Sequence, residues 1–144
     1  MTLFYETPLS KRYASQEMKE LFSSAFKYQT WRKLWATLAE GEKNLGLPIS
    51  SAQINELKSK IKEINFDRVH EIEIECRHEV MAHLEAYREE CPNAKGVIHL
   101  GATSSYVMDN GDLILLKSAL QLLQHKLICL IEKLNHVALK IGRA

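Results

Sequence analysis

The sequence predicts an all-α fold, in which an N-terminal helical domain leads into a long helix of a central helical bundle. Only six glycines and three prolines interrupt the 144 residues, and the alternation of apolar and polar residues typical of strands is almost absent. Apolar residues recur instead at steps of three and four, which is the period of an amphipathic helix. We therefore expect an N-terminal helical domain over residues 1–103 and the start of the bundle domain over residues 104–144.

The long helix is predicted from about Ser104 to Ile141. At 1.5 Å per residue it would be about 57 Å long. The preceding helices are too short to cover its whole apolar face, so we expect either an oligomer or partner helices outside these residues. The apolar residues alternate steps of three and four without a gap, as in the seam of a heptad repeat: Leu113, Leu116, Leu120, Leu123, Leu127, Leu130, Leu134, Val137 and Ile141.

Polar residues that can cap helix N-termini divide the first part of the chain into shorter segments. Ser15 opens a short helix to about Phe22, and Ser23 or Ser24 opens a longer one that Gly46 ends. A left-handed glycine is a common helix terminator.

Two more segments follow before the long helix. Ser50 opens the first, whose apolar stripe runs from Ile54 to Ile64, and Asp67 is expected to cap the second, which ends at the sequence CPNAKG. The pattern leaves open whether this second segment is one bent helix or two.

Composition excludes several classes of protein. With 46% hydrophobic and 26% charged residues the chain can form a core, and its net charge of +1, with both signs interleaved, argues against nucleic-acid or polybasic membrane partners. Three cysteines without paired spacing favour a reducing compartment. We find no secretory signal and no apolar run approaching the roughly 20 residues of a bilayer span. A cytoplasmic protein without membrane contact is predicted.

The stretch RHEVMAH holds the densest group of chemically capable residues. A zinc site is disfavoured, because His78 and His83 are five residues apart and would lie about 140° apart around a helix. A phosphate and a ribose could be bound together by Arg77, His78 and Glu79. A solvated helix face fits the spacing equally well. His83 is expected to be a structural imidazole.

Two further stretches could bind anions. In GATSS, Thr103 and Ser104 precede a long helix whose unpaired N–H groups attract negative charge, although a hydroxyl there can simply cap the helix. In KRYAS, Arg12 and Tyr13 could contact a phosphate, although such residues usually just lie on the surface. We expect no metal or other cofactor, and we interpret the remaining histidines as structural: His70, His99, His125 and His136.

Four stretches together resemble the N-terminal region of the adenylosuccinate lyases, a family of the fumarase/aspartase superfamily: PLSKRYAS, TWRKLWATLAEGEKNLGLPIS, RHEVMAH and GVIHLGATSSYVMDNGDL. The resemblance covers roughly residues 7–140. It implies a homotetramer built on long helices, with active sites assembled from several subunits. It also implies a carbon–nitrogen lyase of purine nucleotide biosynthesis. Such an enzyme releases fumarate by β-elimination from adenylosuccinate, giving AMP, and from the succinylated aminoimidazole carboxamide ribotide.

The resemblance implies substrate-binding roles for residues of all three motifs. Glu79 stands where the family commonly has aspartate, and Gly111, where it usually has threonine, is predicted to lower helix propensity by up to about 1 kcal/mol relative to alanine. The implied substrate-binding residues are Arg12, Tyr13, Arg77, His78, Glu79, Thr103 and Ser104.

The segments that the resemblance implies for acid–base chemistry are not found in these residues. The general acid is expected in a Thr-x-His segment and the base in a Ser-Ser-x-Met-Pro-x-Lys-x-Asn-Pro loop, both beyond Ala144. The chain alone is therefore predicted to be inactive. Two alternatives remain open: a noncatalytic, truncated helical interaction module, and another lyase of the superfamily, acting on argininosuccinate or a simple dicarboxylic acid.

Overall fold

Seven α-helices and one 3-10 turn make up most of residues 7–142, which are the residues described by the computed structural model. No strand occurs among them, so the all-α prediction is confirmed. The division into two domains stays a prediction. The helices are α1 (Pro8–Arg12), α2 (Gln16–Leu21), α3 (Ser24–Asn44), α4 (Ser51–Ser59), α5 (Phe66–Cys76), α6 (Glu79–Glu90) and α7 (Ser104–Ile141), and the 3-10 turn is Lys95–Val97.

Three of the predicted serine caps are present. Ser15, Ser23 and Ser50 each accept a hydrogen bond from a backbone N–H of the following helix, which satisfies one of the unpaired donors there. Ser50 also forms a reciprocal capping box with Gln53. Gly46 follows α3 with a left-handed φ of 96°, so its predicted role as terminator is also confirmed.

Two predicted boundaries are wrong. Asn65, rather than Asp67, caps α5 through a 3.1 Å bond from the Arg68 N–H. The helix starts early because this bond satisfies an N–H of its first turn. Phe66, its first residue, also packs against the ring of Tyr28. The stripe predicted to run to Ile64 also ends early, because α4 stops at Ser59.

A buried arginine explains where α4 stops. Arg32 Nη1 donates to the carbonyl oxygens of Lys60 and Glu63 at 2.7 and 2.9 Å. Both carbonyls are thereby held in the connection between α4 and α5. The same guanidinium forms a two-pronged ion pair with Glu90 at 2.7 and 2.9 Å, so Arg32 joins this connection to the end of α6.

The core forms where α3 and α6 face each other. Trp31 and Trp35 of α3 are buried, and Leu84 and Tyr87 contribute from α6. The segment that could be one bent helix or two is two helices, α5 and α6. The helical conformation is interrupted between them at Arg77 and His78. A second, smaller cluster joins α5 to α6.

Helix α7 packs on α3 and α2. Its contact with α2 includes an ion pair between Lys126 Nζ and Glu17 Oε2 at 3.6 Å, and residues 131–142 beyond it are exposed. All nine residues of the heptad seam are between 48% and 75% exposed. Within residues 7–142, α7 is also long and apolar enough to cross a membrane, with a mean hydropathy of 1.4 over 18 residues. The expectation that no segment reaches that length is therefore wrong, although a helix from the core of a bundle has the same composition.

Gly111 has a packing role that the sequence does not reveal. It is buried in α7, and a Cβ added there would lie 3.0 Å from Trp31 Nε1 and 3.1 Å from Trp31 Cδ1. The indole cannot move aside easily, because it is buried against the rings of Tyr28, Trp35 and His83. The glycine therefore allows α7 to approach α3 closely, which offsets its low helix propensity.

We expect Gly111→Thr to lower the free energy of unfolding by about 1–3 kcal/mol, the usual cost of overpacking. Urea denaturation followed by circular dichroism measures it. Gly41→Thr in α3 is the matched control, since a Cβ added there would have nothing within 4 Å of it, and this variant should gain about 0.3 kcal/mol because threonine has a higher helix propensity than glycine. Equal gains in both variants would show that Gly111 has no packing role.

Candidate functional site

Left-handed backbone conformations occur in two loops, one that contains Arg77 and one that leads to Thr103 and Ser104. Among residues 7–142, the non-glycine residues with positive φ are Arg77 at 51° and His99 at 65°. Arg77 joins α5 to α6, and His99 lies in the turn that leads to α7. Left-handed conformations of such residues cost free energy and cluster at functional sites, so both loops are candidates for ligand binding.

The His78 ring has a defined orientation because it caps α6. Its Nδ1 accepts the Met81 N–H at 3.3 Å, so in the neutral ring the proton is on Nε2. Nε2 lies 3.5 Å from Ser104 Oγ, although 26 residues separate them in sequence. The fold thus brings together two predicted site residues from different motifs, and His78 can donate a hydrogen bond into the space beside them.

The start of α7 contributes the second half of this site. Thr103 is its N-cap residue but makes no side-chain capping bond, and the first turn contains no acidic residue. Simple capping therefore does not account for the Thr103 hydroxyl. Unpaired backbone N–H groups and the helix dipole favour a negative charge here, and the exposed Arg77 guanidinium lies next to His78 in the chain. These groups suit a carboxylate or a phosphate.

Glu79 is engaged within the protein. Its Oε1 accepts hydrogen bonds from Lys27 Nζ at 2.7 Å and from the Tyr28 hydroxyl at 2.6 Å. Partial burial raises the pKa of Glu79, but these two bonds outweigh it and hold the pKa below its usual value. The carboxylate is therefore ionised and paired at neutral pH.

Arg12 and Tyr13 belong to a different part of the chain, at the end of α1 and directly after it. Arg12 is the last residue of α1, and Tyr13 is 79% exposed. Tyr13 borders a cavity of about 420 Å³ together with Met18 and Phe22. Within residues 7–142 no hydrogen bond or ion pair joins Arg12 or Tyr13 to the Arg77–Ser104 group, and their substrate-binding role stays a prediction.

Comparison with known proteins identifies the family. The chain is 44% identical over 139 residues to the adenylosuccinate lyase of Saccharomyces cerevisiae and 48% identical over 139 residues to that of Schizosaccharomyces pombe. It is also 45% identical over 135 residues to the adenylosuccinate lyase of Schistosoma mansoni. Each match covers 94% of the chain. The chain belongs to the adenylosuccinate lyase family.

The match is to only part of each relative. The chain spans 29% of the length of the two yeast proteins and 28% of the Schistosoma protein. No family model matches it. Each match covers nearly the whole chain, so the region similar to adenylosuccinate lyases includes the loops at Arg77 and His99.

His99 is held by a contact with the core residue Trp35. The sequence predicts a structural histidine, and His99 is half-buried, with a left-handed φ of 65°, in the loop that precedes α7. The Trp35 Nε1–H donates to His99 Nδ1 at 3.0 Å, which leaves the proton of the neutral ring on Nε2. In the sequence, only its position two residues before Gly101 indicates that His99 lies in a turn. Among residues 7–142 no three side chains of the His, Cys, Asp and Glu types gather as metal ligands.

Proposed function

We propose that this chain carries a substrate-binding part of an adenylosuccinate lyase. The activity is the release of fumarate by β-elimination from adenylosuccinate, giving AMP, and from the succinylated aminoimidazole carboxamide ribotide, in purine nucleotide biosynthesis in the cytoplasm. The approach of His78 Nε2 to Ser104 Oγ at 3.5 Å supports it most directly. This contact joins two of the four stretches that carry the family resemblance.

The chemistry of the reaction explains why such groups are needed. A general base removes a proton from the carbon β to the nitrogen, and a general acid protonates the departing nitrogen. The substrate carries carboxylates and a phosphate, so hydrogen-bond donors and positive charge must hold it in place. Arg77, His78 and the first turn of α7 are donors of this kind. The motifs that the resemblance implies for the acid and the base do not occur among these 144 residues, and we expect these residues alone to release no fumarate.

Nucleotide binding tests this proposal. We expect the chain to bind AMP but not argininosuccinate in isothermal titration calorimetry, and to release no fumarate from adenylosuccinate. Arg77→Asn should weaken AMP binding about tenfold, the usual scale for losing a charged contact to phosphate. Asparagine removes the guanidinium but tolerates the left-handed backbone.

Lys58→Met serves as the control, because Lys58 pairs with Glu40 on the exposed surface. Its AMP affinity should match that of the unaltered chain. Preference for argininosuccinate would favour another lyase of the superfamily, and binding of neither would favour the interaction module. Fumarate release by the purified chain would contradict the assignment of acid and base to other segments.

We also propose that α7 assembles into a homotetramer, as the family resemblance implies. Its seam is apolar and exposed over nine residues, and contiguous exposed apolar surface of this size marks an interaction site. The heptad spacing favours other helices over lipid as the neighbours, because a bilayer span needs no such seam. Residues 131–142 are all exposed, so this last part of the helix depends most on these partners.

Glutamates in the seam should prevent this assembly. We expect the unaltered chain to self-associate at micromolar concentration and the double variant Leu123→Glu with Leu130→Glu to be a monomer in analytical ultracentrifugation. Gln121→Glu with Asn135→Glu adds the same charge away from the seam and should still associate. A monomeric unaltered chain would contradict the tetramer.

A further inference from the structure

Two neighbouring side chains of α3 hold the first residue of α6. Lys27 Nζ and the Tyr28 hydroxyl both donate to Glu79 Oε1, at 2.7 and 2.6 Å, across 52 and 51 residues of sequence. Glu79 directly follows His78, the N-cap whose ring lies beside Ser104. The two hydrogen bonds therefore hold the N-terminus of α6, which is the part of that helix nearest to the proposed ligand site.

Tyr28 contacts α6 at a second point. Its ring stacks on His83, with centroids 3.6 Å apart and an angle of 23° between the planes. Trp31 meets the Tyr28 ring edge-on at 5.2 Å. Because Tyr28 is fixed to Glu79 by its hydroxyl and to His83 by its ring, it sets both the position and the rotation of the first turn of α6.

Charge is the second reason why this contact matters for an anionic ligand. Glu79 is one residue from His78 and two from Arg77, and an unpaired carboxylate there would repel a phosphate or a carboxylate. The Lys27 ammonium cancels that charge. It also lies 5.1 Å from the ring centroid of Tyr28 and 4.9 Å from that of Trp31, which holds it in place through cation–π attraction.

We propose that Lys27, Tyr28 and Glu79 form a positioning latch that keeps the His78 ring directed toward Ser104 and neutralises residue 79. Glu79 then acts through His78 and is not a ligand contact, in contrast to the role that the family resemblance implies for it. The effect on ligand affinity rests on the proposed function. The effect on the His78 ring does not, because it concerns the protein without ligand.

Charge compensation tests the effect on affinity. We expect Lys27→Met to weaken AMP binding about fivefold at low salt, the scale of one uncompensated charge near the ligand at intermediate dielectric. Adding Glu79→Gln to Lys27→Met should restore the affinity to within about twofold, because the glutamine oxygen still accepts from Tyr28 and the negative charge is gone. A ligand-binding Glu79 would give the opposite result, with the double variant binding AMP more weakly than Lys27→Met.

A measurement without ligand tests the positioning. We expect Lys27→Met and Tyr28→Phe to shift the NMR signals of the His78 ring nitrogens and of the Ser104 amide. Lys58→Met, which breaks the exposed Lys58–Glu40 pair instead, should leave both unchanged. Unmoved His78 and Ser104 signals in both latch variants would overturn the inference. Shifted signals in a chain that binds no AMP would support the latch and contradict the proposed function.

Discussion

Replacing Arg32 with leucine is expected to lower the free energy of unfolding by about 3–5 kcal/mol, the usual cost of breaking a buried ion pair by removing one partner. The Arg32 side chain is 1% exposed. Its loss leaves the Glu90 carboxylate and the carbonyl oxygens of Lys60 and Glu63 without their donor. It also removes the guanidinium from its position 4.5 Å from the Tyr87 ring centroid. Urea denaturation of the purified variant measures the change.

Arg68 offers a matched control of the same chemistry on the surface. It forms a similar two-pronged ion pair with Glu89 at 2.8 and 2.7 Å, but both side chains are exposed. Arg68→Leu should therefore cost at most about 1 kcal/mol. If the two leucine variants lost equal stability, burial of Arg32 would not be what makes its contacts strong.

The contrast between these two arginines shows how much of the fold can be predicted from the sequence. Helices and their caps follow from local chemistry, and the caps at Ser15, Ser23 and Ser50 are predicted correctly because a cap depends on residues within one turn. Arg32 depends on groups that lie 28 to 58 residues away, and no local pattern distinguishes it from Arg68.

The site can also be predicted only in part from the sequence, because its geometry depends on contacts between residues that are distant in the chain. Resemblance supplies the candidate residues, but it does not show that the side chains of His78 and Ser104 meet. The hydrogen bond from the Tyr28 hydroxyl to Glu79 cannot be predicted from the sequence either, since it depends on how α3 packs against α6. Gly111 is a further case, because its helix propensity is a local property and its contact with Trp31 is not.

Acid should destabilise the protein through His83. Burial lowers the pKa of His83 to about 4, with the positive charges of Arg32 and Lys27 adding to the effect and Glu79 opposing it. In the unfolded chain a histidine titrates near about 6.5. Between these two values the unfolded chain binds a proton that the native ring does not, so stability falls as the pH decreases from about 6.5 to about 4. The expected loss is roughly 3 kcal/mol over this window, since each pKa unit corresponds to about 1.36 kcal/mol.

Comparison with His83→Phe isolates this contribution from other groups that titrate in the same range. Phenylalanine preserves an aromatic ring against Tyr28, which stacks on His83 in the native protein, but it cannot bind a proton. The free energy of unfolding of the unaltered chain should therefore fall more steeply than that of the variant between about pH 6.5 and about pH 4, and the two curves should run parallel above about pH 7. Parallel curves throughout would mean that the native His83 ring takes up a proton as readily as the unfolded one. That result would contradict its burial among Tyr28, Trp31 and Arg32.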